Sequence, residues 1–433
     1  MKQTGKNGKF YLALVIFCLT GQVAWTVENM YFNVFIYNMF HASPEAISAM
    51  VAASAVAATV TTLLIGALSD KIGKRKIFIC GGYIAWGISI WSFSLIRMDV
   101  IGSLIPVAAS AASVGVAVTI VMDCVMTFFG SSANDACFNA WLTDSADDSN
   151  RGRIEGINAM MPLVSILVVF GGFMSFDLTM AESWTTIFSI IGVTVLGIGI
   201  SGFFLIRDVP IQTGENQNYF ANIFYGFRPS VVKTNPSLYL TLLAVAVFNI
   251  SIQIFMPYLI LYYTVTLGMD NYVLIFAPAI VLAAAFTGFY GRVYDIKGFR
   301  KAVVPTLGLL VLGYVCLYMN TGTVMVFLGS LVMMCGFLGT SAVLGAKVRT
   351  HTPANKSGMF QGLRICAQVL IPGVIGPAIG AAVLKNADTI VNSDGTTSFI
   401  PNADIFLWAF IASLFIWLVL IPLFRRKEKQ NAA

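Results

Sequence analysis

Four ionisable side chains lie inside long apolar stretches of this chain: Glu28, Asp123, Asp135 and Arg364. Each costs roughly 2.5–3.5 kcal/mol in hydrocarbon even on the lenient insertion scale, so each asks for a reason. A carboxyl group withdrawn from water can take up and give back a proton, which is the chemistry of ion coupling. Glu28 lies past the middle of its stretch, about 22–27 Å from the start at 1.5 Å per residue, with Gly21, Trp25 and Phe32 on the same face. It either works there or is an interfacial acid that reaches water. Asp123 and Asp135 share one stretch but stand about 18 Å and about 120° apart, too far to hold one small ligand. Asp135, beside Ser131, Asn134 and Asn139, is the better coupling candidate, whereas Asp123 falls near the outer end, within reach of water. Arg364 is six residues into its helix at a depth like that of Asp135. It either pairs with Asp135 or Glu155, loosening when the acid is protonated, or snorkels to the surface.

Amides and aromatic rings accompany the acids. Trp25, Asn29, Asn33, Asn134, Asn249, Gln253, Tyr258 and Tyr262, with Arg364, would suit a neutral polyhydroxylated ligand, since amides bond hydroxyls and an aromatic ring covers the apolar face of a sugar. Rings at helical spacing also serve plain packing, and that reading stands beside the first. No dense basic cluster lines these stretches, which weighs against a phosphorylated ligand. His41 and His351 fall between the stretches and are poor proton relays. The seven cysteines have no paired spacing, so they are read as small buried hydrophobes, with neither a metal site nor a cofactor. An intramembrane enzyme would need a nucleophile and base or a motif such as His-Glu-x-x-His, and none is present.

The elements that position these groups follow from composition. With 58% hydrophobic and 11% charged residues, the chain has too little polar surface to live outside a bilayer. Its apolar runs are about 20 residues long without alternation, so they are helices rather than barrel strands. Twelve spans are predicted, at 10–38, 46–68, 77–96, 118–142, 154–176, 184–206, 237–265, 272–293, 302–320, 324–346, 358–384 and 404–424. Residues 97–117 are assigned to an outer loop, partly inserted at most. Of the 26 Lys and Arg residues, 22 then fall in the termini and in loops on one side. That bias predicts cytoplasmic termini and a multi-pass protein of the cell membrane. The net charge of +6 reports topology, not nucleic-acid binding.

One polar stretch occurs twice. Gly66, Asp70, Gly73, Arg75 and Lys76 match Gly291, Asp295, Gly298, Arg300 and Lys301 at a constant offset of 225 residues. A constant offset of half the chain signals a parallel internal repeat. It maps Glu28 onto Gln253, so the acids of the first half meet no acids in the second, and coupling is expected of the first half. The stretch Gly66-x-Leu68-Ser69-Asp70-Lys71-x-Gly73-Lys74-Arg75-Lys76 resembles the loop 2/3 signature of the major facilitator superfamily. In part, Ser132 to Asp144 with Arg151 and Arg153, and Trp25 to Tyr31, resemble its glycoside/cation symporter and sucrose-transporter branch.

The resemblance implies an all-α membrane protein of twelve transmembrane helices in two six-helix bundles, 1–206 and 237–433, joined by a cytoplasmic linker at 207–236. It also implies a cytoplasmic gate built on Gly66, Asp70, Gly73, Arg75, Lys76, Asp295 and Arg300. Melibiose-type members carry their coupling acids on helix 2, where residues 46–68 here have none, so a proton is expected rather than sodium. The expected function is proton-coupled symport of a sugar or glycoside by a monomer. The alternative is proton-driven export of amphipathic small molecules.

Overall fold

A backbone in hydrocarbon can bond only to protein, and in the computed structural model the apolar stretches are helices. The structure describes residues 8–105, 108–146, 150–208, 224–352, 360–392 and 395–431. The first half runs α1 (Gly8–Phe40), α2 (Pro44–Ile72), α3 (Arg75–Ser92), α4 (Met98–Leu104), α5 (Ala108–Gly130), a π-helical segment (Ser131–Phe138), α6 (Asn139–Ser145), α7 (Arg151–Phe173) and α8 (Ala181–Leu205). The second half runs α9 (Pro229–Thr234), α10 (Pro236–Phe255), α11 (Tyr272–Met319), α12 (Thr323–His351), α13 (Gln361–Ile365), α14 (Ile371–Leu384) and α15 (Asp404–Asn431). Turns of 3-10 and π type carry α10 on to Thr266, and a π turn at Cys366–Leu370 joins α13 to α14. A two-stranded hairpin, β1 (Thr389–Val391) and β2 (Thr397–Phe399), lies between α14 and α15.

Helix ends follow local chemistry. Ser43 caps α2 by accepting from the Ala46 N–H at 3.2 Å, with Pro44 in the first turn. Gly73 closes α2 in the left-handed region, φ 73°, its N–H donating to the Ser69 carbonyl at 2.9 Å. The 48 residues of α11 would extend about 72 Å, twice what a bilayer needs. Gly298, at φ 77° and ψ 174°, breaks it into two spans. Eleven helices are long and apolar enough to cross a membrane, and dividing α11 at Gly298 makes twelve among the described residues. The two glycines that match across the 225-residue offset, Gly73 and Gly298, are thus both turns at positive φ.

The outer-loop assignment of residues 97–117 does not hold. Residues 98–104 form α4 and the fourth span begins at Ala108, ten residues before the expected start. The run Ala-Ala-Ser-Ala-Ala-Ser-Val-Gly is only mildly apolar, yet small residues suit close packing: a Cβ on Gly115 would collide with the ring of Phe40 at the end of α1.

The chain divides into two compact units, Met1–Ala46 with Ala53–Asn222 and Val391–Ser398, and Ile47–Ala52 with Ile223–Ile390 and Phe399–Ala433. In the first, α1 packs along α7 and α8, and α3 along α8, around an aromatic core of Phe32, Phe35, Phe93, Trp184 and Phe188. In the second, α10 packs on α14 and α15, and the halves of α11 lie against α12. Tyr263 and Ser330 share a hydrogen bond of 2.5 Å there. Within the expected linker, residues 209–223 lie outside the described residues; the remainder contains a 3-10 turn at Tyr225–Phe227 and α9, with the Tyr239 hydroxyl donating to the Gly226 carbonyl.

Candidate functional site: acids of the first unit

Asp135 sits in the π segment, and its carboxylate collects neutral donors from two elements. Ser131 Oγ donates to Oδ2 at 3.2 Å, Asn134 Nδ2 to Oδ1 at 2.9 Å, and Trp25 Nε1 reaches across from α1 to Oδ1 at 3.2 Å. Asn139 bonds the Asp135 backbone carbonyl at 3.3 Å. A π segment widens the turn and re-aims side chains, a common device at functional sites. The neighbours expected of Asp135 from local spacing are all there, and Trp25 joins them. One turn before Trp25, Gly21 lets α1 approach: a Cβ there would stand 2.5 Å from Asn134 Oδ1 and 2.8 Å from the Tyr83 hydroxyl. That hydroxyl has Asn134 Oδ1 at 2.9 Å and the Phe17 carbonyl at 3.0 Å as acceptors.

Glu28 forms a second cluster on the same helix. Its Oε1 accepts from Ser54 Oγ of α2 at 2.6 Å and from Thr127 Oγ1 of α5 at 2.9 Å, and those two hydroxyl oxygens lie 2.9 Å apart. Glu28 is 8% exposed, and its Oε2 accepts no hydrogen bond from any described residue.

Asp123 departs from expectation. Instead of lying near water at the outer end, it is 1% exposed, with Oδ1 unbonded among the described residues. The early start of α5 explains this, since it puts Asp123 fifteen residues, about 22 Å, into its helix. Asp123 stands one turn before Thr127, the donor to Glu28, on the same helical face. Thr127 thus links Asp123 to the Glu28 cluster, while the hydrogen bonds of Asp135 are made to a separate set of donors.

The remaining candidates are dispersed. Asn29 is exposed and donates to the Trp25 carbonyl at 2.7 Å, while Asn33 is buried and lies 3.4 Å from the Asn29 carbonyl. Asn249 and Gln253 are half-buried on α10, where Gln253 faces Gly376 of α14. Tyr258 and Tyr262 are fully buried in the second unit, beside Phe399 and Phe406 respectively. Arg364 lies in α13, half-buried, just before the π turn. Asn158 of α7 accepts from the Cys18 thiol at 3.4 Å.

The repeated motif builds a clamp inside the first unit. Arg75 is 6% exposed and bonds Asp70 at the end of α2 (2.6 Å), Asp144 in α6 (2.5 Å) and Ser69 Oγ (2.9 Å). Asp208, just after α8, accepts from the Arg75 and Lys76 N–H groups at 3.0 and 2.8 Å and so caps the N-terminus of α3. Lys76 Nζ donates to the Phe203 carbonyl at 2.7 Å. In the second copy the turn at Gly298 is kept, and Arg300 lies over the ring of Phe424 with its Cζ 5.4 Å from the centroid. Sequence reasoning assigned no role to Ser54, Thr127, Asp144 or Asp208. The first two are single hydroxyls in otherwise apolar helices, which carry no signal alone. The acids lie 69 and 133 residues from Arg75, so no spacing ties them to the motif.

The chain is 24% identical over 209 residues to sugar efflux transporter B of Salmonella typhimurium (strain LT2), a match spanning 46% of this chain and 47% of that relative, about half of each. Its fold matches the nucleoside transporter NupG with a TM-score of 0.69 at 12% identity, covering 95% of this chain and 98% of the other. It matches a bacterial homologue of the human lysosomal transporter Spinster with a TM-score of 0.68 at 15% identity, covering 96% and 97%. The twelve spans, the paired glycine turns and a match of residues 12–377 to the family's sequence model agree: the chain belongs to the Major Facilitator Superfamily and is a multi-pass membrane transporter.

Proposed function

We propose that this transporter couples the movement of a neutral polyhydroxylated small molecule, a sugar or glycoside, to a proton. The observation that carries the reading is the setting of Asp135, a half-buried carboxylate held by the neutral donors Trp25, Ser131 and Asn134. Neutral donors can serve a carboxyl group in either protonation state, because serine rotates its hydroxyl and an amide also accepts. Such a site can cycle its proton without first breaking an ion pair. Asp135 and Glu28 carry the coupling proton and Asp123 assists Glu28. Trp25, Asn29, Asn33 and Asn134 in the first half, and Asn249, Gln253 and Arg364 in the second, furnish ligand contacts, with Tyr258 and Tyr262 backing them. The Arg75 clamp, with Gly66, Gly73, Lys76, Asp295 and Arg300, serves as the gate. The protein works as a monomer in the cell membrane with cytoplasmic termini.

Proton-driven export is the second reading, favoured by the likeness to the Salmonella sugar efflux transporter; its cargo would be a sugar or a more amphipathic molecule. One experiment separates the two. Proteoliposomes under an imposed proton gradient are screened with mono- and disaccharides while internal pH and labelled solute are followed. Solute and proton moving in the same direction support symport, and opposite movement supports export. Uptake driven by sodium with no proton movement would overturn proton coupling.

A further inference from the structure

The Glu28 cluster is short of one hydrogen. Three oxygens, Glu28 Oε1, Ser54 Oγ and Thr127 Oγ1, form a closed triangle with edges of 2.6, 2.9 and 2.9 Å. The two hydroxyls bring two hydrogens, and both point to Oε1 when the carboxylate is charged. Oε1 is then committed, while Oε2 stays buried without a donor among the described residues. One turn along α5 from Thr127, on the same face, Asp123 presents the second such oxygen, Oδ1, likewise buried and likewise without a donor. Each of these oxygens is a buried acceptor without a donor, and Thr127 links the two carboxyl groups through one helical turn, so one proton would relieve what two neighbouring charges would leave uncompensated.

We propose that Glu28 and Asp123 form a single two-carboxyl proton site, in which Ser54 and Thr127 act as positioning residues that occupy Oε1 of Glu28 and leave Oε2 and Asp123 Oδ1 to hold one exchangeable proton. The pair binds H+ as its ligand, and the proton leaves one carboxylate charged and the other neutral. This rests on the proton-coupling reading but assigns the residues independently of the cargo. Other groups face the pair. Asp135 acts on Glu28 from the π segment, and Cys124 adjoins Asp123 on α5. From α7, Ser165 bonds Thr26 at 2.9 Å, two residues from Glu28. The charges of α7 at Arg153 and Glu155 lie toward its other end, where Arg153 stands over the Tyr11 ring.

The test needs no substrate. The purified full-length protein is treated across a pH series with dicyclohexylcarbodiimide, which adds to protonated carboxyl groups in apolar settings, and the adducts at Glu28 and Asp123 are counted by peptide mass spectrometry. If the two share a proton, Asp123→Asn lowers the pH of half-labelling at Glu28 by about one unit or more, because a neighbouring negative charge is gone. Glu28→Gln does the same to Asp123. Thr127→Val and Ser54→Ala move Glu28 the opposite way by removing donors to its charged form, and Thr127→Ser and Ser54→Thr restore the original profile. A variant that merely loosened packing would not give opposite signs with hydroxyl rescue. Glu28 labelling unmoved by Asp123→Asn in a monodisperse protein overturns the proposal, as does protection of Glu28 by sodium but not choline at fixed pH. Proton movement in proteoliposomes is measured on the same preparations. If protons move but the labelling linkage is absent, the inference alone fails; if the linkage holds without proton movement, the coupling reading alone fails.

Discussion

Asp135 is satisfied by an indole N–H, a hydroxyl and an amide rather than by a paired cation, and that choice sets what each substitution should do. Trp25→Phe keeps the ring beside Trp86, 5.0 Å between centroids, and removes one donor worth about 1 kcal/mol. Transport should survive with its dependence on external pH displaced, read from initial rates across a pH series. Asp135→Asn should abolish uphill accumulation in the same vesicles, and full accumulation in that variant would remove Asp135 from coupling. At this scale the sequence was legible where partners are local. Ser131, Asn134 and Asn139 lie within four residues of Asp135, so helical spacing alone assembles them. The partners of Glu28 come from residues 26 and 99 positions away, on helices whose rotation about their axes no periodicity fixes when all faces are apolar. Asp123 was misplaced for a related reason: its depth depended on a helix start hidden in a run of alanine, serine and glycine.

At the scale of elements, the internal repeat was readable because it is a backbone requirement as much as a charge pattern. Gly73 and Gly298 both turn the chain at positive φ, but their ψ values of 13° and 174° place them in different regions. The first is the left-handed helical region that asparagine tolerates, and the second is one that glycine alone enters readily. No heavy atom lies within 4 Å of an added Cβ at either position, so neighbours do not obscure the comparison. Gly73→Asn should therefore be nearly neutral, whereas Gly298→Asn should cost about 1–3 kcal/mol, measured as thermal unfolding in detergent. The clamp permits a matching test. Arg75→Ala strands Asp144, whose side chain is 25% exposed, together with the more open Asp70. A loss of about 2–3 kcal/mol is expected, with part recovered by Arg75→Lys. A cationic partner for Asp70 was legible within its own motif, but Asp144 and Asp208 enter only when α6 and the end of α8 are brought to the start of α3.

For the whole molecule, the two halves share a fold and not a chemistry. The 225-residue offset relates Glu28 to Gln253, and the acids Glu28, Asp123 and Asp135 all belong to the first unit, the first two buried and the third half-buried. A neutral amide can bond the hydroxyl of a ligand but cannot carry a proton at physiological pH, so on the proposed reading the acids couple and the amides bind. Substitutions should then fall into two kinetic classes. Glu28→Gln and Asp135→Asn should abolish gradient-driven accumulation while sparing exchange of labelled for unlabelled solute, since exchange needs no net proton movement. Asn249→Ala and Gln253→Ala should preserve coupling and raise the half-saturation concentration about fivefold, the equivalent of one lost hydrogen bond of about 1 kcal/mol. Both quantities are measured in the same proteoliposomes. Loss of exchange in the acid variants, or loss of coupling in the amide variants, would show that the halves do not divide the work in this way.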